Sequence, residues 1–118
     1  MLIEGLAKDK NPTIRGECAK GLGLIGPHTF RALVFGLRDS EDSVRNTTAA
    51  AIKKNFTPAE VINSFRDKHH QKPAIVCSLR EIMNLNYYFA KSTRQFLEEI
   101  LNHFQDEMSL NKSTTDNN

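Results

Sequence analysis

Tryptophan is absent, cysteine occurs only twice, and aromatic residues make up 8% of the chain. So sparse a cysteine content fits free thiols and not a disulfide-stapled miniature fold. No apolar run approaches the roughly 20 residues that cross a bilayer. No sign of charge dominates either: 16 Lys and Arg against 14 Asp and Glu leave a net charge of +2, which argues against a polyelectrolyte tail. The N-terminus lacks the basic stretch, apolar core and small-residue cleavage site of a secretory leader. Cys18 and Cys77 fall on apolar faces of different expected helices, as free buried thiols. The setting expected from this is intracellular, cytoplasmic or nuclear.

What the sequence does have is an internal copy. Residues 2–22, LIEGLAKDKNPTIRGECAKGL, answer residues 33–52, LVFGLRDSEDSVRNTTAAAI. Asp9 aligns with Asp39, Ile14-Arg15 with Val44-Arg45, and Ala19 and Leu22 with Ala49 and Ile52. A unit of about thirty residues is too short to bury its own apolar face and has to pack on a neighbour. With 118 residues the chain holds one core.

Helical spacing and start signals divide the rest. Asn11 caps a helix over 12–25 with Pro12 in its first turn and a stripe of Ile14, Cys18, Leu22 and Ile25. Phe30, Leu33, Val34 and Leu37 mark a second helix, over 28–37. Val44, Thr48 and Ile52 mark a third, over 42–55, where Ala49 to Ala51 allow close approach. Thr57-Pro58-Ala59-Glu60 is a capping box opening a helix that stops near Lys68. The unit that follows is degenerate: Ile75 comes eight residues after Asp67 rather than five, and Val76 stands where the pattern wants arginine. Its helix runs over about 73–85 with Ile75, Leu79, Ile82 and Met83. Beyond the Tyr87-Tyr88-Phe89 cluster, which reads as a plug over the core, Ser92 and Gln95 suggest a second capping box. It opens an amphipathic closing helix with Phe96, Leu97, Ile100, Leu101, Phe104 and Met108 on one side. Residues 109–118 are polar and read as a disordered tail. The apolar start at Leu2, Ile3 and Leu6 suggests a fragment of a longer array, with Met1 supplied at the cut or by an isoform start.

The paired-helix unit with aspartate at its turn, Ile/Val-Arg five residues later and then Ala and Leu/Ile, resembles the HEAT repeat in its short HEAT-like form. LAKDKNPTIRGECAKGLGLIG and LRDSEDSVRNTTAAAI carry the resemblance. The match is good over 2–55, weak over 58–85 and hardly present from Ser92. The resemblance implies an all-α fold, an α-solenoid of antiparallel helix pairs stacked right-handedly. Its units are about 1–26, 27–56 and 57–86, with a closing helix over 92–108. It also implies a structural ladder in which Asp9 and Asp39 reach Arg15 and Arg45 of adjacent units.

Catalytic and cofactor patterns are missing. His28, His69, His70 and His103 have no metal-ligand spacing, and the adjacent pair His69-His70 reads as a solvated turn. The sequence contains no His-Glu dipeptide of the kind found in HEAT-like di-iron hydroxylases. No phosphate-binding loop occurs, and Cys77 is expected on the packed face. The expectation is therefore a non-catalytic scaffold without cofactor or metal that binds another protein along its second-helix row. That row is Glu17 and Lys20, then Thr47, Ala50, Lys53 and Lys54, then Ser78 and Glu81.

Charge supplies the alternative. Residues 53–94 hold eight basic against three acidic residues, and 95–118 one against five. Nucleic-acid binding through Lys53, Lys54, Lys68, Lys72 and Arg80 is the rival reading, and a HEAT-like lyase or hydroxylase the most distant one.

Overall fold

Asn11 opens the longest stretch of the repeat: its side chain accepts the Thr13 N–H at 2.9 Å, and Pro12, which has no N–H to lose, begins the helix. That helix, α2, runs Pro12–Ile25 and is preceded by α1, Leu2–Lys8. Gly26 ends α2 with φ 150°, in the region glycine favours, and Pro27–Thr29 form a 3₁₀ turn into α3, Phe30–Leu37. Next come α4, Asp42–Asn55, and α5, Pro58–Ser64. The second of these starts on the reciprocal capping box of Thr57 and Glu60. The chain closes with α6, Lys72–Asn84, and α7, Lys91–Asp116. This computed structural model describes residues 2–85 and 87–116, with side chains as far as 109. Among these residues it is all helical, without strands, and no helix is long and apolar enough to cross a membrane.

Packing follows the repeat, with one shift. Helix α1 packs on α2, α3 on α4, and α6 on α7. Along the chain, α1, α3 and α6 touch in turn, and so do α2, α4 and α7. The third pair is therefore α6 with α7 and not the expected α5 with α6. Helix α5 is an inserted piece that packs on the 3₁₀ turn and on α7. Its Val61 and Phe65 are fully buried, and the Phe65 ring meets Phe104 edge to face at 6.5 Å.

The shift exposes a third copy of the helix start. Thr93-Arg94 occupies the third and fourth positions of α7, as Ile14-Arg15 does in α2 and Val44-Arg45 in α4. Leu97 and Leu101 then take the buried places held by Thr48 and Ile52. Ser92 is inside α7 and accepts a hydrogen bond from Lys53, so the expected capping box there is not made. The helix also continues to Asp116, through most of the expected tail. Once a helix is nucleated, each further residue adds a hydrogen bond at little extra cost. Positions 117 and 118 lie outside the described residues.

Two tight helix crossings repeat as well. A Cβ on Gly36 of α3 would collide with the Thr48 side chain of α4, and one on Gly5 of α1 would come to 2.5 Å from the Cys18 sulfur of α2. Because the glycines and their partners are equivalent in the two copies, both pairs use one backbone approach.

Burial departs from the expected stripe in α2. Cys18 and Leu22 are buried, but Ile14 is 44% and Ile25 54% exposed, whereas Val44, the counterpart of Ile14, is wholly buried. Within the row of α2, α4 and α7, helix α4 has a neighbour on each side, whereas among the described residues α2 has α4 on one side alone. Cys77 is exposed, not packed, because the buried face of α6 is set by Ile75, Val76, Leu79 and Ile82. Met108 is 36% exposed at the outer end of the closing stripe.

Candidate interaction surface

The first two pairs are joined by an ion pair that the repeat places. Arg15 donates from Nε and Nη2 to the two carboxylate oxygens of Asp39 at 2.8 and 3.0 Å, and from Nη1 to the Asp9 carbonyl at 2.7 Å. The Asp39 hydrogen bond raises the Arg15 pKa above its ordinary value against the opposing effect of burial. Asp39 also accepts the Glu41 N–H, and Asp9 the Asn11 N–H, both at 2.9 Å, which shapes the two turns alike.

The second rung differs from the expected one. Arg45 donates to the Asp39 carbonyl at 2.6 Å, as Arg15 does to Asp9, and pairs with Asp42 of its own helix. Across to the third pair it meets no carboxylate among the described residues: its guanidinium lies 3.8 Å from the centre of the Tyr87 ring. The Asp9 carboxylate receives no arginine among the described residues. The ladder expected from Asp9, Arg15, Asp39 and Arg45 is thus one interhelix ion pair followed by a cation–π contact.

The third pair carries a separate clamp that the sequence reading passed over. Lys72 is 3% exposed, donates to Glu107 of α7 at 2.5 Å and to the Arg66 carbonyl at 3.4 Å, and lies 5.6 Å from the Phe104 ring centre. His103 holds the other Glu107 oxygen at 2.7 Å. Burial alone would push the Glu107 carboxyl up; the hydrogen bonds from Lys72 and His103 outweigh it and hold the carboxyl below its usual range. A lysine is buried with cost unless paired, so its position beside Phe104 requires Glu107.

These placements divide the expected binding row. Glu17 and Lys20 pair with each other on α2 at 3.2 Å. Lys20, Thr47, Ala50 and Lys54, joined by Leu24, Ala51 and Asn55, line a groove of about 330 Å³ between α2 and α4. Lys53 belongs to the neighbouring groove between α4 and the start of α7, with Tyr88 and Phe89. Ser78 and Glu81 do not join them. Both sit on α6, which belongs with α1 and α3, and Glu81 binds Arg38, the residue that follows α3, at 2.6 Å. Leu24 also lines this surface, turned away from Leu22 on the side of α2 next to α4. It is 76% exposed.

The rival basic surface does not assemble as expected. Lys72 is buried against Glu107, and the Arg80 guanidinium faces the Gln105 side-chain amide on α7, leaving Lys53 and Lys54 on α4 and Lys68 beside Phe65. Among the described residues, no three His, Cys, Asp or Glu side chains are grouped to hold a metal ion.

In comparisons with known proteins, no family model, curated sequence or solved structure matches the chain.

Proposed function

We propose that the chain is a non-catalytic HEAT-like scaffold. In this reading α1–α2, α3–α4 and α6–α7 are three antiparallel layers of an α-solenoid inside the cell, and another protein is held along α2 and α4. The observation that carries it is the groove in which Leu24 stands open between Lys20 and Lys54. An exposed leucine flanked by two lysines, over a floor of Ala50 and Ala51, suits an acidic segment that brings one apolar side chain to the groove. Small floor residues let a partner backbone approach closely, and the lysines add attraction and orientation.

The test is capture of partners from cell lysate by the chain and by two variants, Leu24→Asp and the triple reversal of Lys20, Lys53 and Lys54 to Glu. All four positions are exposed, so folding is expected to survive, which circular dichroism checks. A protein captured by the chain and lost from both variants supports the reading; capture that ignores both variants removes it. The nucleic-acid reading requires binding of DNA or RNA at low salt that falls steeply as salt is added.

A further inference from the structure

The contact between α2 and α4 defines both faces of a joint, and one of those faces recurs on α2 with Leu2 of α1 over its middle and both ends, Ile14 and Ile25, exposed. From α2 the joint takes Arg15 and a line of small residues: a Cβ on Gly16 would touch Thr47 at 3.6 Å, and one on Gly23 would meet Asn55 at 2.9 Å and Ala51 at 3.3 Å. From the second pair it takes Thr47, Ala51 and Asn55, with Val44 buried in the same row and Asp39 holding the arginine. Moving back by the thirty-residue period turns that receiving set into Ile14, Glu17, Gly21, Ile25 and Asp9. Ile14 and Ile25 are 44% and 54% exposed, and the Asp9 carboxylate has an N–H donor from Asn11 but no basic side chain among the described residues.

We infer that this outer face of α2, with Asp9 beside it, is a docking site for an α-helix of a second protein. The helix that fits has an arginine in its first turn, followed by glycine or alanine along one side, the chemistry that α2 itself offers to α4. Two features of the chain argue for that occupant over a generic apolar one. Asp9 supplies a negative charge at the place where Asp39 takes a guanidinium in two hydrogen bonds. Leu2, whose side chain lies about 3.1 Å from where a Gly21 Cβ would stand, covers the middle of the face, so only a helix with small residues there can come close. A groove of about 630 Å³ lined by Leu2, Gly5, Lys8, Asp9, Ile14 and Cys18 leads into the site.

The chain supplies its own probe: an N-acetylated, C-amidated, fluorescein-labelled peptide with the sequence of Pro12–Ile25, titrated with the full chain in reducing buffer and followed by anisotropy. Saturable binding is expected, weakened about tenfold by Asp9→Asn in the chain or by Arg15→Gln in the peptide. The two changes together should cost little more than either alone, since they remove one contact. Asn keeps the acceptor for Asn11, so Asp9→Asn should leave the circular dichroism and melting curve unchanged. Absence of saturable binding overturns the inference, as does binding indifferent to Asp9→Asn. Binding lost in Asp39→Asn but kept in Asp9→Asn also overturns it, because the peptide would then be replacing α2 in its own seat. Since the lysine groove on the other side of α2 is untouched, the result is independent of the proposed scaffold function.

Discussion

In the first half of the molecule one helix pair is tied to the next by charge: Arg15 closes on Asp39 with two hydrogen bonds, and both side chains are largely buried. In the second half the equivalent arginine, Arg45, lies on the face of Tyr87, and the buried ion pair is instead Lys72 with Glu107, inside the third helix pair. The joints do the same work with different chemistry. The reason lies in α5, whose insertion makes Arg94 follow Arg45 by 49 residues, where Arg45 follows Arg15 by 30. Position 88, which matches Asp39 by its distance from the helix arginine, is a tyrosine. With no aspartate available, the aromatic cluster supplies the contact, while α5 and the buried lysine fix α6 and α7 to each other.

If the second half depends on the inserted helix and the first half on the repeat, their most sensitive points differ. Phe104→Ala removes the ring that α5, through Phe65, and Lys72 both meet, and should destabilise by about 3–5 kcal/mol in urea denaturation. In the first half Asp39→Asn should cost about 2 kcal/mol, the worth of hydrogen bonds to a charged group, while Asp9→Asn should change stability by less than about 0.5 kcal/mol. Equal effects of the two aspartate variants would mean that position in the repeat, and not the arginine, decides the value of the carboxylate.

The clamp in the second half has a pH signature. Glu107 has its pKa lowered by folding, so its contribution is complete above the unfolded carboxyl pKa and disappears as pH falls through the folded one. With a side chain 35% exposed, solvent screening keeps that contribution to about 1 kcal/mol or less. Glu107→Gln should therefore lower the melting temperature at pH 7, and the gap to the parent chain should begin to narrow near the unfolded carboxyl pKa and close as pH falls through the lowered folded one. A gap that persists at low pH would show that the clamp works through packing and not through charge.

How much of this could be read from the sequence depends on whether a local signal or a neighbour decided the outcome. The bounds of α2 and α4 and the start of α5 were readable, because Asn11 with Pro12 and Thr57 with Glu60 act within one turn. The all-helical class was readable from the spacing of Phe30, Leu33, Val34 and Leu37. The third pair was not, since a fixed thirty-residue period led to Ile75-Val76 and past Thr93-Arg94. Exposure of Ile14 and Ile25 was also hidden: a stripe on a helix predicts an apolar face but not whether anything covers it. For the binding row, Lys20, Thr47, Ala50 and Lys54 came together because α2 and α4 are consecutive copies. Ser78 and Glu81 were misplaced because α6 was assigned to the wrong row, and Lys72 because a lysine in a polar turn gives no local sign that it is buried.

A comparably small effect is the most direct probe of the difference between the halves. Arg45 lies over the Tyr87 ring, and the attraction belongs to the ring face, so the hydroxyl is not needed. Tyr87→Phe should keep the melting temperature, and Tyr87→Leu should lower stability by about 1 kcal/mol, as suits a cation–π contact whose arginine is buried and whose ring is half-buried. The Leu variant retains apolar bulk, so that loss reports the ring's charge distribution more than its packing. If it instead matches Tyr87→Phe, Arg45 is held by the Asp39 carbonyl and Asp42 alone, and the two halves would be joined through α3 with α6 and through α4 with the start of α7, without a rung between them.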